Sequence, residues 1–226
     1  SGLIGTSAFQ ETDVFGMTAP IVKHSYLVTR LEDIPRIVRE AFHVARTGRP
    51  GPVVIDIPKN FQEGKFVPDF ETPMDLPGYQ PDIELRTEAL DEVLPILLSA
   101  KRPAIYAGGG VVISNASDQL REFAERTQIP VATTLMGKGI IDEKDDLSIG
   151  MLGMHGKQVA NQSVNKSDCL LAVGVRFSDR TTGKLDEFMP DANVIHIDID
   201  PAEIGKNVPT AIPVVGDARH ALKHLI

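Results

Sequence analysis

At 226 residues, with 24% charged and 42% hydrophobic side chains, the chain has the balance of a globular protein long enough to bury one or two cores. Its net charge of -8 argues against a polyanion such as nucleic acid as the main partner. One cysteine, Cys169, sits in an apolar run, which excludes an internal disulfide framework. With no signal peptide and no long apolar segment to cross a membrane, a soluble, cytoplasmic protein is expected.

Residues 1–18, rich in Gly, Thr and Ser, predict loop. Residues 20–29, with Ile21, Val22, Tyr26, Leu27 and Val28, predict a strand and its approach. Leu31, Ile34, Ile37, Val38, Ala41, Phe42 and Ala45 then fall on one helical face, with Pro35 in the first turn and Gly48 at the end. Residues 51–58 predict a buried strand bounded by prolines. Such an αβ unit cannot complete a sheet by itself, so it is expected to belong to a domain begun upstream. Residue 1 is not Met, and the last residues stop with a helical pattern under way; a piece of a longer polypeptide is expected.

Residues 61–82 carry Pro68, Pro73, Pro77 and Pro81 among acids and predict an extended linker over a surface. A second unit starts near Leu85 with a helix over Leu90, Val93, Leu94 and Leu97, in which Pro95 predicts a kink. Residues 104–107 form an uncharged apolar run, as a strand buried on both faces does, and lead into Gly108, Gly109 and Gly110. Capping side chains at residues 114–117 and a helix over Leu120, Phe123, Ala124 and Thr127 follow, stopped by Pro130. Strands are predicted again at 131–134, 169–173, 194–199 and 212–215, with a helix over Val159, Ala160 and Val164. The alternation predicts an α/β fold, an open parallel sheet of four or five strands flanked by helices, preceded by a partial second α/β domain.

Ligands of an open parallel sheet bind beyond the carboxyl ends of its strands. The glycine triplet, Thr134 and Leu135, residues 174–180, Asp198 and Asp217 all lie at such ends. Backbone N–H groups at a glycine turn that opens a helix favour an anion, although a tight turn needing positive φ also explains glycine there. There is no G-x-G-x-x-G, and strand 131–134 does not end in an acidic residue, so NAD held in the usual manner is disfavoured. Arg176 and Arg180, four apart with Asp179 between, suit a phosphate and a carboxylate; a surface ion pair is equally compatible. General base, stacking contact and capping residue all remain open for His155. His196, between two isoleucines on a strand, reads as structural. Asp198 and Asp200 share a strand face but have no third ligand, and a metal site is rejected.

Laid end to end, these stretches resemble the large catalytic subunit of acetolactate synthases, thiamine-diphosphate enzymes. The matching segments are Ile4-Gly-Thr-Ser-Ala-Phe-Gln-Glu11, Ile21-Val-Lys-His-Ser-Tyr26, Gly48-Arg-Pro-Gly-Pro-Val-Val-Ile-Asp-Ile-Pro-Lys59 and Tyr106-Ala-Gly-Gly-Gly110. They continue through Thr134-Leu-Met-Gly137, Met151-Leu-Gly-Met-His-Gly156, Gly174-Val-Arg-Phe-Ser-Asp-Arg180 and His196-Ile-Asp-Ile-Asp200. The resemblance implies that residues 1–62 end a pyrimidine-binding domain, that 63–84 are a linker and that 85–226 are a central FAD-binding domain. It implies FAD contacts at Arg49, Gly109, Thr134, Leu135, Leu152, Gly153, Met154, His155, Gly174, Val175, Arg176, Phe177, Ser178, Asp198, Ile199, Asp217 and Ala218. Ser178 departs from a family pattern that often has Asp, which weakens any carboxylate contact there. Phe9, Gln10, Lys59, Met154, Asp179 and Arg180 match the family's substrate channel, with Arg180 on the carboxylate of the acceptor 2-ketoacid.

The implied reaction is decarboxylation of pyruvate on thiamine diphosphate, followed by condensation with pyruvate or 2-ketobutyrate. The implied assembly is a homodimer or homotetramer with a regulatory small subunit. The family's activating glutamate is expected upstream of the chain and its Mg²⁺-diphosphate motif downstream, so no catalytic residue is expected here and the chain alone is expected to be inactive. Two rivals stand beside this: a flavin- or NAD-binding module with no carboligase role, and a sister thiamine enzyme such as glyoxylate carboligase.

Overall fold

The computed structural model describes residues 5–7, 9, 11–81, 85 and 87–226. The chain divides into two compact units, Ser1–Asp82 and Ile83–Ile226.

In the first unit a short helix α1 (Val14–Thr18) precedes strand β1 (His24–Leu27). Asp13 caps α1 by accepting from the Gly16 N–H at 2.8 Å, so the expected loop is helical at its end. Helix α2 (Ile34–Arg46) has a proline in its first turn, where the missing N–H does no harm, and ends before Gly48 at φ 55°. It buries Pro35, Ile37, Glu40, Ala41 and Val44. Phe42, expected on the apolar face, points to solvent instead. Strand β2 (Val53–Asp56) is only half-buried, and pairs in parallel with β1 from His24↔Val53 to Leu27↔Asp56. A single helical turn, α3 (Lys59–Gln62), follows.

The proline-rich segment after α3 is extended but tied down. Glu40, with no exposed surface, holds Arg36 at 2.7 Å and accepts from the Asp75 N–H at 2.8 Å. Arg39 donates to Thr72 O. Lys23 reaches Val44 O and the Tyr79 hydroxyl, and Tyr79 also meets Thr47.

The second unit opens with two helices, α4 (Thr87–Asp91) and α5 (Val93–Ser99). The predicted single helix breaks at Glu92, because Pro95 cannot donate to the carbonyl of Asp91 and its ring crowds that group. Then come β3 (Pro103–Ala107), α6 (Gly109–Ile113), α7 (Ser117–Thr127) and β4 (Val131–Thr133). A strand absent from the sequence expectation, β5 (Ser148–Met151), precedes α8 (Gln158–Asn165) and β6 (Cys169–Val173). The chain closes with α9 (Asp179–Thr182), β7 (Asn193–Asp198), β8 (Ile212–Val215) and α10 (Ala218–Leu225).

The six strands form one parallel sheet in the order β5-β4-β3-β6-β7-β8. Every residue of β6 is buried, and alternate residues serve opposite faces, as the pleat requires. Cys169, Leu171 and Val173 join Ile105, Ile195 and Val214 beneath α5, α7 and α10. Leu170 and Ala172 join Tyr106, Val194, Phe177 and Phe188 on the other face. The chain leaves β3 toward the first face, through α6 and α7, and leaves β6 toward the second, through Phe177 and Phe188. These two strands are neighbours, so a crevice opens between their carboxyl ends, where such sheets bind ligands.

Candidate functional site

The glycine triplet lies at that crevice, but its reason differs from the expectation. None of Gly108, Gly109 and Gly110 has a positive φ. Gly108 and Gly110 are glycine because the turn after β3 packs directly on the turn after β6. A Cβ on Gly108 would sit 2.2 Å from Gly174 O, and one on Gly110 2.6 Å from the Gly174 Cα. Gly108 N–H donates to Val173 O at 2.9 Å and Gly110 N–H to Gly174 O at 3.1 Å. Two of the triplet's three donors are therefore used within the protein, which weakens the expected anion cradle. The helix begins at Gly109 itself, and α7 has no side-chain cap, so the seryl caps expected at 114–117 do not form.

The same backbone contact places residues 174–180 on the rim beside the triplet. Gly174 takes φ 60°. Val175 and Phe177 turn inward into the core, Phe177 at φ 47°. Arg176, Ser178, Asp179 and Arg180 face solvent. Asn207 holds this loop from outside by donating to Phe177 O at 3.0 Å. From beneath, His196 is fully buried and its Nε2 donates to Val175 O at 2.9 Å. Burial lowers the His196 pKa, so the ring stays neutral and structural, as its place on the strand suggested.

On the other side of the triplet, Thr134 caps a turn of 3₁₀-helix, accepting from the Gly137 N–H at 3.0 Å. This exposes Leu135 and Met136 at the rim. Gly153, after β5, lies at φ 115°. Asn161 clasps it twice, accepting from Gly153 N at 2.9 Å and donating to Gly153 O at 3.1 Å. Leu152 is core, whereas Met154 and His155 project outward. The Met154 N–H donates to Arg180 O at 2.8 Å, so the ends of β5 and β6 are joined at this point. Arg180 and Asp179 pair at 3.8 Å with about three-quarters of each side chain exposed, a weak contact.

At the far end of the rim, Asp198 is nearly buried and accepts from the Asp200 N–H at 2.9 Å, with Ile199 between them. Asp217 caps α10, accepting from the N–H groups of Arg219 at 2.9 Å and His220 at 3.2 Å; Ala218 is buried behind it. No group of three or more metal-ligating side chains occurs among the described residues.

The second-unit candidates thus sort by chemistry. Leu152, Val175, Phe177 and Ala218 can offer a ligand only main chain. Arg176, Ser178, Met154, His155, Leu135 and Arg180 offer side chains. Strands lie ~4.8 Å apart, so the rim from β5 to β8 is about 24 Å long, a span for an extended molecule rather than a compact one. Along it lie an exposed guanidinium and hydroxyl near the crevice, exposed apolar groups at Leu135 and Met154, and the nearly buried carboxylate of Asp198.

In the first unit, Arg49 is exposed, Phe9 is 93% exposed, and Lys59 is exposed in a loose pair with Glu63 at 3.5 Å. Gln10 lies outside the described residues. Two residues that brace the rim from within the fold, Tyr106 and Asn161, were not among the expected site residues. A tyrosine in a strand of small and aliphatic residues signals that its hydroxyl has a task; an asparagine on an amphipathic helix carries no such signal.

Residues 90–225 match the family described as thiamine pyrophosphate enzyme, central domain. The whole chain is 49% identical over 225 residues to an acetolactate synthase of Mycobacterium bovis, covering 100% of the chain and 36% of that protein. It is 50% identical over 228 residues to the acetolactate synthase large subunit of Corynebacterium glutamicum, with the same coverage. Against "Acetolactate synthase 2, chloroplastic" of Nicotiana tabacum the identity is 51% over 225 residues, covering 99% of the chain and 34% of the relative. The chain spans about a third of the length of the curated relatives it matches.

Proposed function

The chain belongs to the thiamine pyrophosphate enzymes, and from that premise we propose that it is part of an acetolactate synthase large subunit. The complete protein condenses pyruvate with a second 2-ketoacid after decarboxylation, in branched-chain amino acid biosynthesis. The observation that supports this most is the identity of 49–51% to such enzymes along the whole chain, across both units. A flavin module without a carboligase role accounts for the second unit but not for the first.

On this reading residues 1–62 end the pyrimidine-binding domain, 63–84 link, and 85–226 are the central domain. FAD would be held along the rim, with Arg176 and the main chain at Gly109 toward its phosphates, Thr134, Leu135 and residues 152–155 on the β5 side, and Asp198, Ile199, Asp217 and Ala218 on the β8 side. The rim's length and donor set support that placement. Thiamine diphosphate, with Mg²⁺, supplies the electron sink for decarboxylation when bound. This chain's residues bind and orient: Arg180 presents its fork to the acceptor carboxylate, and Asp179 and Met154 border the substrate. Phe9, Gln10, Lys59 and Arg49 are assigned by the same reading. Partners are further copies of the subunit and a regulatory small subunit, in the cytoplasm.

Acetolactate formation by the complete subunit, pyruvate tested against glyoxylate as acceptor, tests the proposal. Pyruvate is expected to be preferred; a preference for glyoxylate would move the protein to a sister enzyme. The 226 residues alone are expected to form none.

A further inference from the structure

We propose that Tyr106 is a positioning residue for Arg180, acting through Thr181; the proposal rests on the reading that Arg180 meets a substrate carboxylate. Tyr106 is the only residue of β3 with a polar tip, and it is 1% exposed. A phenol shut away from water needs a partner, and its hydroxyl donates to Thr181 Oγ1 at 3.2 Å. Burial pushes the phenol up to about 12, so the group remains a donor at any working pH. Phenylalanine would fill the same space without burying a hydroxyl; what the hydroxyl adds is a hold on α9.

That helix needs holding. With four residues, α9 cannot sustain itself. Its position comes from what grips it on either side of Arg180. Met154 N–H binds Arg180 O at 2.8 Å. Gly153 approaches so closely that a Cβ there would lie 2.7 Å from the same oxygen. Tyr106 binds the next residue along. Its ring packs 5.8 Å from Phe177, and Phe177 lies edge-on 5.2 Å from His196, which holds Val175 O. The guanidinium is therefore mobile on a stem fixed at both ends. Where it can reach is set by the main chain of α9, and that main chain is set by Tyr106 and Gly153–Met154.

The test uses the complete subunit and the variants Tyr106→Phe, Thr181→Val, their combination, and Thr181→Ser. Two quantities are read: the KM for the acceptor 2-ketoacid, and amide hydrogen exchange across residues 179–183. Each single variant is expected to raise KM about three- to tenfold, the scale of one lost hydrogen bond, with kcat changing less. The combination is expected to be no worse than either single variant, and Thr181→Ser to restore the wild-type value. The Thr181 and Thr182 amides, both bonded to Ser178 O, are expected to exchange faster, with those of β3 and β6 unchanged. An unmoved KM in Tyr106→Phe, or penalties that add in the combination, would overturn the proposal. If the wild-type subunit makes no acetolactate, the functional reading fails by itself. In that event unchanged exchange in Tyr106→Phe removes Tyr106's role in holding α9 too, and faster exchange keeps it.

Discussion

Gly110 and Gly174 meet with no room for a side chain between them: a Cβ on either would lie 2.6 Å from the other's Cα. Gly174 also takes φ 60°, where a side chain is strained. Gly174→Ala is therefore expected to destabilise the second unit by about 2–4 kcal/mol, combining overpacking with backbone strain. Gly109 differs. Its Cβ would meet the Met136 Cβ at 3.0 Å, an atom fixed to the main chain, so relief needs a small shift of the 135–137 turn rather than a new rotamer. Gly109→Ala is expected to cost about 1 kcal/mol or less, the shift being offset by alanine's better fit to a helix. Urea midpoints of the two variants check the contrast. The triplet was conspicuous in the sequence, but its cause was not, because the residue it packs against lies three strands later in the chain. His196 makes a second residue-scale prediction. Its folded pKa is depressed, so below the ordinary value of about 6.5 the unfolded chain takes up a proton that the folded one refuses. Stability from this group is present above that pH and is lost as pH falls toward the folded value. The thermal-midpoint advantage of wild type over His196→Gln is expected to narrow from about pH 8 to about pH 5; an advantage that stays constant would contradict a neutral buried ring.

Elements with a strong pattern were readable, and those shaped by tertiary contact were not. Pro95 announced the break between α4 and α5 because its effect is local. Strand β5 was hidden, being four residues long with Gly150 inside it and at the edge of the sheet. Phe42 satisfied the helical period yet faces water, while Glu40 takes the buried place; periodicity cannot foresee that a carboxylate will find Arg36 and the Asp75 N–H. Glu40→Ala removes both contacts and is expected to cost about 1–3 kcal/mol. It should also make residues 64–81 cleave faster in limited proteolysis, and an unchanged cleavage rate would show that the segment is held by its other contacts. On α8, Asn161→Ala would leave the N–H of buried Gly153 without its partner, while the Gly153 carbonyl keeps the Gly156 N–H at 2.9 Å. A loss of about 1–3 kcal/mol in chemical denaturation is expected, with faster exchange at residues 152–156.

At the scale of the molecule, the order β5-β4-β3-β6-β7-β8 turns scattered loops into one rim. The alternation of strands and helices made the parallel sheet readable, and with it the edge at which ligands sit. The loops named from the sequence do follow the carboxyl ends of its strands, because every strand of a parallel sheet delivers its carboxyl end to the same side. It could not show which side chains turn inward: Val175 and Phe177 alternate with Arg176 and Ser178 in one short loop, and packing decides between them. Nor could it show that Asp217 is engaged as the cap of α10. On the proposed function this rim holds a flavin dinucleotide, with Arg176 on its phosphates. Titration of FAD into the complete subunit, followed by quenching of flavin fluorescence, tests it directly when wild type is set beside Arg176→Glu. Saturable quenching by wild type that is lost or weakened at least about tenfold in the variant, as loss of a charge-assisted phosphate contact requires, is the predicted result; equal quenching by both proteins, or none by wild type, would contradict it.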